Sequence, residues 1–266
     1  MKWIISVLIS AFILPGCSAK DSGPASHSEH GHHEKDAVGK SMLIVEMQPA
    51  SAKRGEPVDL KMMVHDQAGK MISQFDVTHE KKAHLIIVRD GLDQFAHLHP
   101  EVDGAGNLTT TYRFPVGGDY HLFLDHKPTG QEQALAVAKV HISGDAPQSL
   151  PLLPNVPGSV TADETTAVIS AENAKSGPPV TIEFHLSDTS GKPVVDLDPY
   201  LGAMGHLVVI SDDAQQYVHA HPMEKSASPG EVAFMAHFEK PGLYKGWGQF
   251  QRAGTVRTIP FVIAVK

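Results

Sequence analysis

The stretch HLIIVRDGLDQFAHLHP carries three histidines, His84, His97 and His99, and HLVVISDDAQQYVHAHP repeats them at the same spacing as His206, His219 and His221. Neutral imidazole is a nitrogen donor suited to copper, zinc, nickel and iron. His97 and His99 are alternate residues, which on a strand share one face about 6.6–6.8 Å apart. If residues 84–89 and 94–99 are two arms of a hairpin turning at Asp90-Gly91-Leu92-Asp93, His84 lands opposite either His97 or His99. Pairing with His99 puts all three rings on one face. Ligands on two strands are held more rigidly than ligands on a loop. Met204, Met223 and His237 stand near the second set and are candidate additional ligands, since thioethers beside imidazoles favour copper, Cu(I) above all. Met62, Met63, His65, His79, His121 and His126 follow no pattern shared by the two halves and are not assigned as ligands. Met42, Met47 and Met71 read as core fillers. Affinity resting on free imidazoles should fall as pH drops through about 6.5.

The elements that position these histidines come from a duplication. Residues 55–100 align without a gap on 177–222, with 14 of the 46 positions identical, and FPVGGDY (114–120) falls on FEKPGLY (238–244) after a two-residue insertion. Self-similarity of this kind sets the architecture. In each half the apolar residues alternate: Val58, Leu60, Met62 and Val64 in the first, Val180, Ile182, Phe184 and Leu186 in the second. Period two marks half-buried strands. Further strands fit near 42–48, 84–89, 94–99, 108–114, 119–126 and 134–142, with counterparts in the second half. In the strand near 231–238, Phe234, Ala236 and Phe238 should face inward, leaving Met235 and His237 outside. The fold expected is all-β: two tandem immunoglobulin-like or cupredoxin-like β-sandwiches, repeat 1 at 41–143 and repeat 2 at 159–266. The Pro-rich stretch 144–158 between them reads as a semi-rigid extended linker.

Residues 1–16 read as an export signal, with Lys2 ahead of an apolar run from Trp3 to Leu14 that is too short to span a membrane. Leu14-Pro15-Gly16-Cys17 resembles the lipobox of bacterial lipoproteins, which implies a lipid anchor on Cys17, the chain's single cysteine. Residues 17–40 have the composition of a disordered tether, and His27, His30, His32 and His33 within it read either as a loose metal-capturing tract or as part of a polar spacer. With Cys17 lipidated, no cysteine remains for a disulfide, a thiolate nucleophile or a thiolate metal site. The net charge of −8 argues against nucleic acid as a partner. The expected location is the cell envelope outside the cytoplasm. In a host with two membranes, Ser18 after the lipidated cysteine points to the outer one.

No nucleophile elbow, phosphate loop or His-Glu-x-x-His motif is present, and the chain reads as non-enzymatic. Gly91-x5-His97-x-His99 resembles the opening of the first cupin motif. Its glutamate, however, should follow four or five residues after the second histidine, where Asp103 and Gly104 stand. The stretches THEKKAHLIIVRDGLDQFAHLHPEVDGAG, LGAMGHLVVISDDAQQYVHAHP and GLYKGWGQFQRAGTVRTIPFVIAV resemble bacterial secreted proteins and lipoproteins related to the YtkA-like and FixH-like domains. That resemblance implies an immunoglobulin- or cupredoxin-like sandwich and an association with copper or heavy-metal handling. It carries over to His84, His97, His99, His206, His219 and His221.

The reading expected from the sequence is a lipid-anchored envelope protein that buffers or delivers copper, with zinc or another transition metal as the alternative cofactor. Its histidine clusters lie on one hairpin in each repeat, and its partners are other metal-handling envelope proteins. The alternative is a non-catalytic immunoglobulin-like structural or interaction module with structural histidines. The third is a cupin-like metalloenzyme.

Overall fold

The computed structural model describes residues 38–162, 164–223 and 228–266. The export signal, Cys17 and the His-rich tract lie outside the described residues, as do the side chains of His219 and His221. The first repeat contains β1 (Val38–Gln48), β2 (Pro57–His65), β3 (Met71–Ile72), β4 (Ala83–Arg89), β5 (Phe95–Leu98), β6 (Glu101–Val102), β7 (Leu108–Arg113), β8 (Gly118–His126) and β9 (Ala134–Ile142). The second contains β10 (Gly158–Ala162), β11 (Thr165–Ser170), β12 (Pro179–Asp188), β13 (His206–Ser211), β14 (Tyr217–Pro222), β15 (Glu231–His237), β16 (Gly242–Arg252) and β17 (Thr255–Val265). Their hydrogen-bonded orders are β5-β4-β8-β9-β1-β2-β7-β6, with β3 on β2, and β10-β11-β12-β15-β14-β13-β16-β17.

Each repeat is an immunoglobulin-like β-sandwich with its own core. The alternating residues Val58, Leu60, Met62 and Val64 enter the first core, and Val180, Ile182, Phe184 and Leu186 enter the second. Both repeats carry a tyrosine corner, in which a buried tyrosine hydroxyl donates to a carbonyl four residues upstream. Tyr120 reaches Val116 at 2.9 Å and Tyr244 reaches Lys240 at 2.8 Å. Phe234, Ala236 and Phe238 are buried while Met235 is 45 % exposed, as the alternation requires.

A third core joins the two repeats. Leu85 and Ile87 of β4 point into the first sandwich, whereas Ile86 and Val88 point out of it and meet Val208 and Ile210 of β13. Phe95 stacks on Trp247 with ring centroids 4.5 Å apart, and Phe123 meets Tyr217 at 5.7 Å. In the duplication Phe95 corresponds to Tyr217, and Phe123 to Trp247, so the two contacts are mates across an approximate two-fold axis. Leu92 and Ala214, also equivalent, both enter this seam from turns in which they take left-handed φ values of 58° and 54°.

The segment 143–157 is pinned at both ends rather than spanning solvent as a spacer. The buried Arg89 guanidinium donates to the Pro147 carbonyl and pairs with Asp93 at 2.6 Å. Ser149 Oγ donates to the Asp90 carbonyl at 3.1 Å, and Asn155 exchanges backbone and side-chain bonds with Val262. The connecting segment is therefore bonded to both repeats. Truncating the 4 % exposed Trp247 to alanine should cost about 3–5 kcal/mol. Urea denaturation followed by circular dichroism should show a lowered midpoint for Trp247→Ala; an unchanged midpoint would mean the seam contributes nothing to stability.

Candidate metal centre

Hairpin register brings the histidines of the first repeat together. Leu85 pairs with Leu98 and Ile86 with His97, so one further step places His99 opposite His84. Directly opposed residues of an antiparallel pair share a face. His84, His97 and His99 therefore lie on the outward face of β4–β5, the face that enters the seam. Each can place a ring nitrogen within 4.8 Å of the other two.

The seam makes this a site of both repeats. His206 of β13 stacks on His84 at 5.8 Å between ring centroids with an interplanar angle of 11°, and lies 4.8 Å from His97. His79 completes the group at 6.0 Å from His84 and 5.9 Å from His206. It is delivered by a tight turn in which Thr78 and Lys81 exchange backbone hydrogen bonds and both central residues are left-handed, His79 at 47° and Glu80 at 65°. This is the arrangement of a two-residue hairpin turn, for which non-glycine residues are costly. In the second repeat, Val208 pairs with His219 and Val209 with Val218. Along the backbone, position 219 is thus opposite the seam residue Val208, and position 221 pairs with Met235 of β15.

Hydrogen bonding indicates which ring nitrogens act as donors. His84 Nε2 lies 3.0 Å from the Thr78 carbonyl, which can only accept, so that nitrogen carries the proton. His97 Nδ1 lies 2.7 Å from Gln249 Oε1 of the second repeat, whose amide nitrogen is turned toward Thr258. His97 therefore also donates outward. In the neutral rings the remaining lone pairs sit on His84 Nδ1 and His97 Nε2, which face one another at 3.2 Å. With Gln249 Oε1 as the acceptor, both facing nitrogens carry lone pairs, an arrangement that a cation between them would relieve. His99 Nε2 is buried with no hydrogen-bond partner.

Burial disfavours the proton. It pushes the His97 imidazole down to about 3, with the neighbouring His99 and His84 adding to the effect and the Gln249 bond opposing it. Burial, then His84 and Lys81, push His99 down to about 4. Metal–imidazole bonds of about 2.0–2.1 Å spanning a 3.2 Å gap subtend roughly 100°, near the tetrahedral angle. Outward hydrogen bonds from ligating histidines to a carbonyl or amide oxygen are what orients such ligands. A groove of about 690 Å³ reaches His99 and is lined by Glu46, Asp59 and Glu101 against a single cation, Lys61. Its excess of carboxylates suits the entry of a cation.

Other residues named from the sequence are placed elsewhere. Met204 and Met223 are each 47 % exposed, and His237 is exposed and outside the three-nitrogen group. His121 is occupied by Asp90 at 2.5 Å. Asp103, the residue standing where a cupin carboxylate is needed, accepts bonds from Ala105 and Asn107 of its own turn. Gln249 is not singled out by the sequence, and His79 is among the histidines left unassigned there. Gln249 has no motif around it, and only the two left-handed residues at His79 and Glu80 mark the turn as special.

One family model matches residues 37–143 and again 160–266, and its description is a domain of unknown function, DUF8832. The chain belongs to this family and carries its domain twice. No curated protein matches. Among solved structures, the chain is similar to the Lin-41 filamin domain (18 % identity, 41 % of this chain and 98 % of that one, TM-score 0.28). It is also similar to FdeC, an Escherichia coli adhesin (14 %, 87 % and 66 %, TM-score 0.28), and to Yersinia pseudotuberculosis InvD (12 %, 86 % and 58 %, TM-score 0.27). The chain thus spans less than two thirds of the latter two. Among the described residues, no helix is long and apolar enough to cross a membrane.

The depressed imidazoles revise the pH window expected from the sequence. Free histidine in the unfolded chain titrates near 6.5, whereas folded His97 and His99 take up protons only near 3 and 4. The unfolded state therefore binds more protons below pH 6.5. The stability that these rings contribute is fully present above that value and is lost as pH falls toward 4 and then 3. Denaturation midpoints measured from pH 7.5 to 4 should decline below about 6.5, with a shallower decline in His97→Gln/His99→Gln; identical slopes would remove these two rings as the cause. Proton competition with a metal at these rings should likewise set in near pH 4 rather than 6.5.

Proposed function

We propose that this chain is a non-catalytic metal-binding protein of the cell envelope, taking a copper ion at one composite centre between its repeats and buffering or delivering it. The observation that carries the reading is the pair of lone pairs on His84 Nδ1 and His97 Nε2, 3.2 Å apart in rings whose other nitrogens are both committed as donors. His99 is the third ligand, His206 is the second repeat's contribution across the seam, and His219 and His221 are its further candidate ligands. A donor set of imidazoles without thiolate or carboxylate suits copper and also zinc. Met204, Met223 and His237 stand at the exposed surface as supplementary ligands in transfer rather than as members of the buried centre. The anchor is a lipid on Cys17, in the outer membrane if the host has two, and the partners are metal-handling envelope proteins that exchange the ion.

The second reading is an immunoglobulin-like interaction module in which the imidazoles pack the seam. The near-parallel stack of His84 on His206, continuous with the Phe95–Trp247 stack, favours it. Competition titration of the full chain with Cu(I), Cu(II) and Zn(II) decides between the two. A composite centre predicts that His97→Ala/His99→Ala abolishes tight binding. It also predicts that Gln249→Leu, a change in the other repeat, weakens it about 10–100-fold, the usual cost of losing an outer hydrogen bond to a ligand. Unaltered affinity in both variants would leave the histidines as packing residues.

A further inference from the structure

We infer that the first repeat carries a second, separate site for a soft monovalent cation, Cu(I) or Ag(I), formed by Met42, His65 and Met71 on the outward face of β1–β2–β3. Three adjacent strands place these residues side by side. Met42 of β1 is directly opposite His65 of β2, and His65 is directly opposite Met71 of β3. Opposed residues share a face and stand with Cβ atoms about 4.5–5.5 Å apart. The flanking pairs confirm which face it is: Leu43 with Val64, and Val64 with Ile72, point into the core. The row therefore reads thioether, imidazole, thioether across the sheet.

Two observations show that this row is not filling space. Met42 is 54 % exposed, so one thioether is offered to solvent rather than packed. His65 Nδ1 is buried and has no hydrogen-bond partner, in a residue flanked across the sheet by two methionines. An unpaired buried polar atom is costly and calls for a partner. Nor does the fold demand these residues. The second repeat has the same three strand positions, Thr166 opposite Ser187 and Ser187 bridged to Pro193, and holds no sulfur or imidazole there. Two thioethers with one imidazole, and no thiolate or carboxylate in the row, select a soft cation over zinc, calcium or magnesium. The row is distinct from the seam centre in its residues and in its donor type, so neither site needs the other.

Methionine methyl resonances of the full chain, labelled at the ε-carbon, read thioether ligation one residue at a time. Ag(I) serves as the redox-inert probe. The first equivalents of Ag(I), but not Zn(II), should shift the Met42 and Met71 methyl signals together. His97→Ala/His99→Ala should leave those shifts intact, which separates this site from the seam centre. Met42→Leu/Met71→Leu, which preserves volume, should lower the Ag(I) stoichiometry by about one equivalent, and His65→Ala should abolish the shift of both methyls. The inference is overturned if neither methyl responds to Ag(I), if both respond equally to Zn(II), or if His65→Ala leaves the shifts unchanged.

Discussion

Every residue of β4 from Ala83 to Arg89 is buried, and so is every residue of β13 from His206 to Ser211. These two strands are each shared by two cores. One face supplies the interior of its own sandwich, and the other faces its counterpart across the seam. A strand buried on both faces offers no solvent to a polar side chain, so any imidazole placed there must find its hydrogen bonds within the protein. His84 and His206, the members of these strands nearest the seam's edge, are 1 % and 8 % exposed. Their placement decides what surrounds them: for His84 the Thr78 carbonyl of the His79 turn, and for both each other's rings.

That packing also explains the chemistry of the site. Burial holds His97 and His99 neutral far below the usual histidine range. Committed outward donors turn the remaining nitrogens inward. Neutral rings with converging lone pairs are prepared as ligands before any ion arrives, which lowers the ordering cost of binding. Because Gln249 belongs to the second repeat and bonds a histidine of the first, the geometry of the candidate centre depends on the fit between the repeats. Pinning of the connecting segment by Arg89, Ser149 and Asn155 supports the same fit.

The duplicated fold has been used unequally. The seam keeps its approximate two-fold relation in Phe95–Trp247 and Phe123–Tyr217. The polar positions around it have diverged: Gln249 stands in the second repeat where Asp125 stands in the first. On the outward face of β1–β2–β3 the divergence is complete, with Met42, His65 and Met71 facing Thr166, Ser187 and Pro193 as their counterparts. Core residues are constrained by packing in both copies, whereas outward residues are free to acquire separate roles.

The sequence by itself determined the strands, the duplication and the shared face of His97 and His99, because period-two alternation and an internal repeat are local signals; the register that puts His84 opposite His99 came from the fold. It also placed Phe234, Ala236 and Phe238 inward and Met235 outward. It did not tell that HLIIVR and HLVVIS are buried on both faces, since a continuous apolar run fits several environments. From that followed the expectation of one site in each repeat, where the tertiary structure unites the two hairpins at one seam. Gln249, His79 and the row of Met42, His65 and Met71 depend on strand register and on packing between residues far apart in the chain. No local pattern encodes such contacts, and only the folded arrangement of the sheets decided them.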